Sequence, residues 1–204
     1  MFCFISCTVN DFQSSSSQIN IPVVEIAETD GTYVKEITPK ECVINKSESF
    51  VGTEEIGNNQ DFNNKELKTL LERSGWRPEQ AWCSYIAKGI LDDCGVPNKL
   101  TGWSPSSYNK SDVIFTDNQF KQDYDSEDVL LLSLSYNKYK SDKSRYKGIG
   151  HVGIVYKLTE YKSYSFEGNT TSEESISDNE GQGFYKKIRP LTNNTNVTRI
   201  YKQK

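Results

Sequence analysis

Between Gly75 and Leu91 a loop dense in helix-breaking residues runs directly into an amphipathic helix, and Cys83 stands at the junction. Gly75, Pro78 and the steric restriction that Pro78 places on Arg77 keep the approach out of helical geometry. From Trp82 onward the apolar residues recur at Trp82, Ile86, Ala87, Ile90 and Leu91, the spacing of one helical face. Gly95 and then Pro97 mark the C-terminus. A thiol in the first turn of such a helix lies beside unpaired backbone N–H groups and the positive end of the helix dipole, and both favour the thiolate. Cys83 is therefore a candidate nucleophile.

The chain of 204 residues is long enough for one sizeable core with a small appendage. Hydrophobic residues make up 35% and aromatics 12%, so Tyr, Phe and Trp should share the core with the aliphatics. A formal charge of −4, from 24 basic and 28 acidic residues, lacks the basic stripe of a nucleic-acid footprint. No apolar run is long enough to span a bilayer. The single histidine, His151, and the lack of any Cys-x-x-Cys pair argue against a zinc site, so neither metal nor cofactor is expected. Acid–base chemistry by imidazole falls to His151 alone. Cys83 and Cys94 are eleven residues apart, about 16 Å on one helix, which excludes a disulfide between them. Cys94 then reads as a buried small hydrophobe, and Cys42 lies in a polar stretch with no identifiable partner.

Taken in order, residues 1–50 read as an N-terminal extension and residues 51–204 as the folded domain. Phe4-Ile5-Ser6-Cys7 looks like a lipoprotein cleavage box, but neither a basic segment nor a full apolar segment precedes it. A short packing peptide is favoured over lipid anchoring at Cys7. Ser14–Ser17 reads as a linker, and the β-prone runs 22–26 and 32–37 around Asp30-Gly31 read as a hairpin. Asn63 with Glu66 three residues on predicts a capped helix carrying Leu67, Leu70 and Leu71. Residues 104–127 are polar and turn-rich, fitting a substrate groove or a loose insertion equally. Strands then follow at 129–134, 151–156, 164–169 and 183–188. Helices first and strands after predict an α+β fold with helices packed on an antiparallel sheet.

Cys83 heads the helix, and His151, 68 residues later (151 − 83), heads a strand. If that strand pairs antiparallel with the next, Glu167 and Asn169 come beside His151. Two residues apart on an extended chain, they point the same way. A base that activates a thiol, and a third group that holds the imidazole tautomer, are the parts of a Cys–His nucleophile. Each part alone has a plainer reading. A cysteine after a tryptophan packs, a histidine beside a strand joins a core, and Glu-Gly-Asn makes a turn. Their order is what makes a site. Gln80 is a weak candidate for an oxyanion donor, and Trp76, Trp82 and Trp103 are weak candidates for a groove wall, with core packing the default for Trp82.

The pieces Ala-Trp82-Cys83-Ser-Tyr-Ile, Glu127-Asp128-Val-Leu-Leu-Leu, Gly150-His151-Val-Gly-Ile-Val, Phe166-Glu167-Gly-Asn169-Thr and Gly183-Phe-Tyr-Lys-Lys-Ile-Arg189-Pro occur in that order. From about Val51 to Arg189 the chain resembles the CHAP family of cysteine, histidine-dependent amidohydrolases/peptidases, in the papain-like NlpC-type superfamily. It departs from that pattern at Glu127, where the family usually has glycine before aspartate, and in the longer, lysine-rich 136–148 loop. The resemblance implies a papain-like CHAP fold with Cys83 as nucleophile and His151 as general base and acid, completed by Glu167 and Asn169. It implies a hydrolase acting on bacterial cell-wall peptidoglycan, as an endopeptidase or N-acetylmuramoyl-L-alanine amidase of the endolysin-like kind. The setting implied is bacteriophage or bacterial: virion-associated, secreted or periplasmic, with residues 1–50 able to meet other virion proteins. Two other functions fit the same residues: a virion structural or binding protein that retains the fold, and a protein deamidase or acyl-transferase.

Overall fold

A computed structural model of the chain describes residues 36–136, 148–171, 181–192 and 196–203. The expected hairpin, the Ser14–Ser17 linker, Cys3 and Cys7 lie outside them, as does nearly all of the 136–148 loop.

Four helices, one of them a single turn, precede most of the strands. Helix α1 (Pro39–Phe50) is capped by Thr38, whose hydroxyl accepts the Glu41 N–H while the Glu41 carboxylate accepts the Thr38 N–H, a reciprocal capping box with Pro39 at the first helical position. A small ribbon of β1 (Glu55–Ile56) and β2 (Asp61–Phe62) brackets α2 (Gly57–Gln60), a single distorted turn. Helix α3 (Lys65–Arg73) buries Leu67, Leu70 and Leu71 as their spacing requires. Its cap is Asn64, not Asn63: the Asn64 side chain accepts the Leu67 N–H, and Glu66 falls in the first turn. Helix α4 (Cys83–Asp93) runs as expected and stops before Gly95, whose φ of +65° suits a residue without Cβ.

The turn-rich 104–127 stretch is more ordered than its composition suggests. It forms a short 3-10 helix, η1 (Ser104–Ser107), and the ribbon β3 (Val113–Thr116) with β4 (Gln119–Phe120). Then come β5 (Leu130–Tyr136), β6 (Ile149–Leu158), β7 (Lys162–Thr170), β8 (Gly183–Pro190) and β9 (Asn196–Lys202). The described residues make one seven-stranded antiparallel sheet in the order β4-β3-β9-β5-β6-β7-β8. The architecture is α+β. Strand β9, which the strand pattern did not predict, sits inside the sheet between β3 and β5. Polar Asn, Thr and Arg residues interleave with its apolar ones, and that weakens the signal.

Both faces of the sheet are covered, which explains the unbroken apolar run of β5. Leu131 packs with α3 and α4 around Trp82, Ile86 and Phe166, whereas Leu130, Leu132 and Leu134 join Phe115 and Ile200 on the other face. The core also reaches N-terminally of Val51, since Val43 and Phe50 of α1 are buried in it. A disulfide ties that helix down: Cys42 pairs with Cys94 at the end of α4, with Cα atoms 5.7 Å apart. This corrects the reading of Cys94 as a small hydrophobe and of Cys42 as unpartnered. The partner lies 52 residues away on another helix, a proximity that sequence spacing does not carry. Cys83 is the free cysteine among the described residues.

Closing a loop of 52 residues in the unfolded chain corresponds to about 4 kcal/mol in the chain-entropy account. Cys42→Ser should therefore lose about that much stability in urea unfolding under oxidising conditions. Under reducing conditions the difference from wild type should vanish.

Candidate active site

Helix α4 packs across β6 and β7, and its first residue is Cys83. No acidic residue occupies its first turn and no side chain caps it, so the positive helix end is left to the sulfur. The preceding residue fixes that end in place. Trp82 is fully buried, its Nε1 donates to Glu55 Oε2 at 2.9 Å, and its ring packs edge-on to Phe62. Gly168 of β7 lies beneath the ring: a Cβ there would fall 2.5 Å from Trp82 Cζ3 and 2.6 Å from Ile86 Cγ2. The glycine of Glu-Gly-Asn is thus a packing requirement of α4 on the sheet.

Strands β6 and β7 are paired from Leu158↔Ser163 to Ile154↔Phe166. Beyond that register the Val152 N–H is hydrogen-bonded to the Cys83 sulfur, which also lies 3.5 Å from Ser104 Oγ at the start of η1. His151 Nε2 is 2.9 Å from Glu167 Oε2, and its other ring nitrogen is left for Cys83, to which the imidazole is hydrogen-bonded. The Glu167 side chain reaches His151 by crossing Gly153, where a Cβ would meet Glu167 Cγ at 2.6 Å. Gly153 and Gly168 are therefore both close-approach positions.

Glu167 is fully buried and all its acceptor capacity is used. Oε1 accepts from Ser165 Oγ at 2.5 Å and Arg189 Nε at 3.1 Å; Oε2 accepts from Arg189 Nη2 at 2.7 Å and from His151. Burial alone would raise its pKa, but the Arg189 charge and His151 outweigh it and hold the carboxyl well below the usual range. Burial would likewise lower the His151 pKa, yet its bonds and charge contacts with Cys83 and Glu167 raise it to about 10. Burial favours the neutral Cys83 thiol; His151, Ser104 and the Val152 N–H together bring its pKa below the ordinary thiol value. The lowered thiol and the raised imidazole both favour the thiolate–imidazolium form, which stands beside the carboxylate of Glu167 and the guanidinium of Arg189. A thiolate paired with an imidazolium proton donor is equipped for nucleophilic acyl transfer.

The other expected residues divide. Asn169 is buried beside this chain, but its Oδ1 has no hydrogen-bond partner among the described residues. A bulge in β7 is the reason that Glu167 and Asn169 do not act alike. The register runs Glu167↔Tyr185 and then Thr170↔Gly183, so Thr170 is in phase with Glu167 while Asn169 takes a φ of +54°. Gln80 is exposed, with Oε1 accepting the Arg77 N–H at 2.9 Å, which leaves its amide nitrogen as the donor. Trp76 and Trp82 do not wall a groove; both are fully buried, and Trp76 Nε1 donates to the Gln80 carbonyl at 2.8 Å. Trp103 is 65% exposed and adjoins Ser104, so it alone of the three presents its ring to a ligand. The sequence reading missed Ser104, Ser165 and Arg189 as site residues. Arg189 had a signal: with Lys187 it puts a second cation on the same face of a strand, and a buried cation implies a buried acid. No group of three or more metal-ligating side chains occurs among the described residues. No helix among them is long and apolar enough to cross a membrane.

Comparison of the chain with protein-family models, curated proteins and solved structures finds no match.

Two outcomes follow from the charged pair. Alkylation of Cys83 by iodoacetamide should be nearly independent of pH through neutrality in wild type, and His151→Ala should restore a rate that climbs with pH like an ordinary thiol. Glu167→Gln removes a buried carboxylate that is paired with both Arg189 and His151 and should cost about 3–5 kcal/mol in unfolding measurements. It should also return the His151 ring toward its ordinary pKa, because a carboxylate that favours the proton has been removed.

Proposed function

We propose that the protein is a thiol amidase or endopeptidase that cleaves an amide bond of bacterial peptidoglycan, with a papain-like fold of the CHAP type. The observation that carries this reading is the buried chain Cys83–His151–Glu167–Arg189, set at the N-terminus of a helix packed on an antiparallel sheet. The sequence pieces around His151 and Glu167 meet in this chain, and Gly153 and Gly168 are positions where a Cβ has no room.

In the proposed reaction the Cys83 thiolate attacks the amide carbonyl carbon. A C–S bond forms and the carbonyl π pair moves to oxygen. The Cys83 backbone N–H, which has no acceptor within the helix, and the free amide nitrogen of Gln80 are the donors available to that oxyanion. The His151 imidazolium gives its proton to the departing amine as the C–N bond breaks, leaving a thioester. The now neutral His151 takes a proton from water, whose oxygen attacks the thioester. Collapse of that adduct releases the new carboxyl group and restores thiolate and imidazolium. Glu167 stays ionised throughout and holds the ring by its Nε2–H, while Arg189 keeps the carboxylate charged in its buried place.

The disulfide between Cys42 and Cys94 supports action in an oxidising setting, secreted, periplasmic or virion-borne, because such bonds persist there and not in a reducing cytosol. The N-terminal extension is proposed as the segment that attaches the domain to other virion proteins.

The test is digestion of purified peptidoglycan by wild type, Cys83→Ala and His151→Ala, with mass analysis of the soluble fragments. Wild type should release fragments whose masses name the bond, and each variant should lose at least a thousandfold in rate while remaining folded. Release by Cys83→Ala at the wild-type rate would overturn the assignment.

A further inference from the structure

Three groups are hydrogen-bonded to the Cys83 sulfur: the His151 imidazole, the Val152 N–H and the Ser104 hydroxyl. His151 and Val152 are 7% and 0% exposed, whereas Ser104 is half-buried. Of the three, Ser104 is the one that meets solvent. A substrate carbonyl that reaches the sulfur from outside arrives past that hydroxyl.

The backbone of Ser104 is firmly placed. Pro105 restricts φ in the first turn of η1, and the Ser104 carbonyl accepts from Ser107 Oγ at 2.8 Å. Ser107 Oγ is in turn 2.6 Å from Ser133 Oγ, fully buried in β5. Toward the helix, Ser106 Oγ accepts the Thr101 N–H at 2.8 Å, and the Thr101 carbonyl accepts from Ser84 Oγ, beside Cys83. Element η1 is thus fastened both to the sheet and to the first turn of α4. The Ser104 hydroxyl itself turns freely about one bond, and its partner among the described residues is the sulfur at 3.5 Å.

Once Cys83 is a thiolate, the sulfur has no proton to give, so Ser104 is the donor in this contact. A donor that served the thiolate alone would stabilise the ground state and slow the attack. During attack the negative charge leaves sulfur and appears on the carbonyl oxygen, two bonds away. The Val152 N–H is fixed in the backbone and does not follow that charge. A hydroxyl rotor on the open side does.

We propose that Ser104 is a catalytic donor whose hydroxyl passes its hydrogen bond from the Cys83 sulfur to the substrate carbonyl oxygen as the C–S bond forms. The new bond takes its electron pair from sulfur and the carbonyl π pair moves to oxygen. Ser104 rotates and keeps its proton throughout. The same oxygen becomes negative again when water attacks the thioester, and the hydroxyl then serves it a second time. The proposal rests on the thiol-hydrolase reading and adds a side-chain donor to that mechanism.

The test compares two reactions of Cys83 in the full chain, with Cys83→Ala as the blank. Alkylation by iodoacetamide develops no oxyanion; single-turnover acylation by p-nitrophenyl acetate does. Both are followed across pH and compared on the plateau where the thiolate is complete. Ser104→Ala should slow acylation about a hundredfold, the loss typical of one oxyanion donor, while its plateau alkylation stays at or above the wild-type rate. Ser104→Thr, which keeps a hydroxyl, should retain most of the acylation rate. Wild-type acylation by Ser104→Ala, a parallel fall of acylation and plateau alkylation, or Ser104→Thr as slow as Ser104→Ala would overturn the proposal and leave the hydrolase reading standing. A wild type that is alkylated but never acylated would overturn the hydrolase reading itself.

Discussion

A carboxylate with no exposed surface governs this molecule. Glu167 costs several kcal/mol to bury as an ion unless its charge and all its lone pairs are met. Arg189 meets two of them in a bidentate contact and Ser165 a third, which leaves one position for the His151 Nε2–H. The tautomer and orientation of the only imidazole in the chain follow from that remaining vacancy. The other ring nitrogen is turned to Cys83, and the proton that Glu167 favours on the ring is the proton that stabilises the thiolate. Without Arg189, burial would push the carboxyl toward its neutral form and the chain of charges would lose its anchor.

The rest of the fold serves to bring a helix end and that carboxylate together. Strands β6 and β7 stop pairing at Ile154↔Phe166, which frees the Val152 N–H for sulfur. Gly153 opens the path that the Glu167 side chain takes to His151, and Gly168 lets the Trp82 ring settle on β7. Trp82 in turn is pinned by Glu55 and precedes Cys83 directly, so the sulfur is positioned by core packing. The Cys42–Cys94 bond fastens the far end of the same helix to α1. Helix α4 is thus held at both ends.

Much of this arrangement is legible in the chain itself. The α4 periodicity, its Gly95 stop, the strand at 129–134 and the nearness of Cys83, His151 and the Glu167/Asn169 pair all follow from local pattern and order. What escapes is long-range or depends on a break in pattern. Cys42 and Cys94 meet because α1 and α4 pack, which spacing does not reveal. The β7 bulge defeats the alternation argument that paired Asn169 with Glu167. Strand β9 hides because its apolar residues are few and its partners lie far back at β3 and β5. Trp76 and Trp82 look like groove walls in a list of aromatics, yet core packing claims large rings first.

Because His151 is the only histidine, one spectrum reads the central claim. The measurement is the 15N chemical shifts of the imidazole across pH 5 to 10, in wild type and in Cys83→Ala. The account predicts a doubly protonated ring throughout neutrality in wild type, with deprotonation only as the pH nears about 10, and a lower transition once the thiolate is removed. A ring already neutral at pH 7 in wild type, or one whose titration ignores the loss of Cys83, would contradict it.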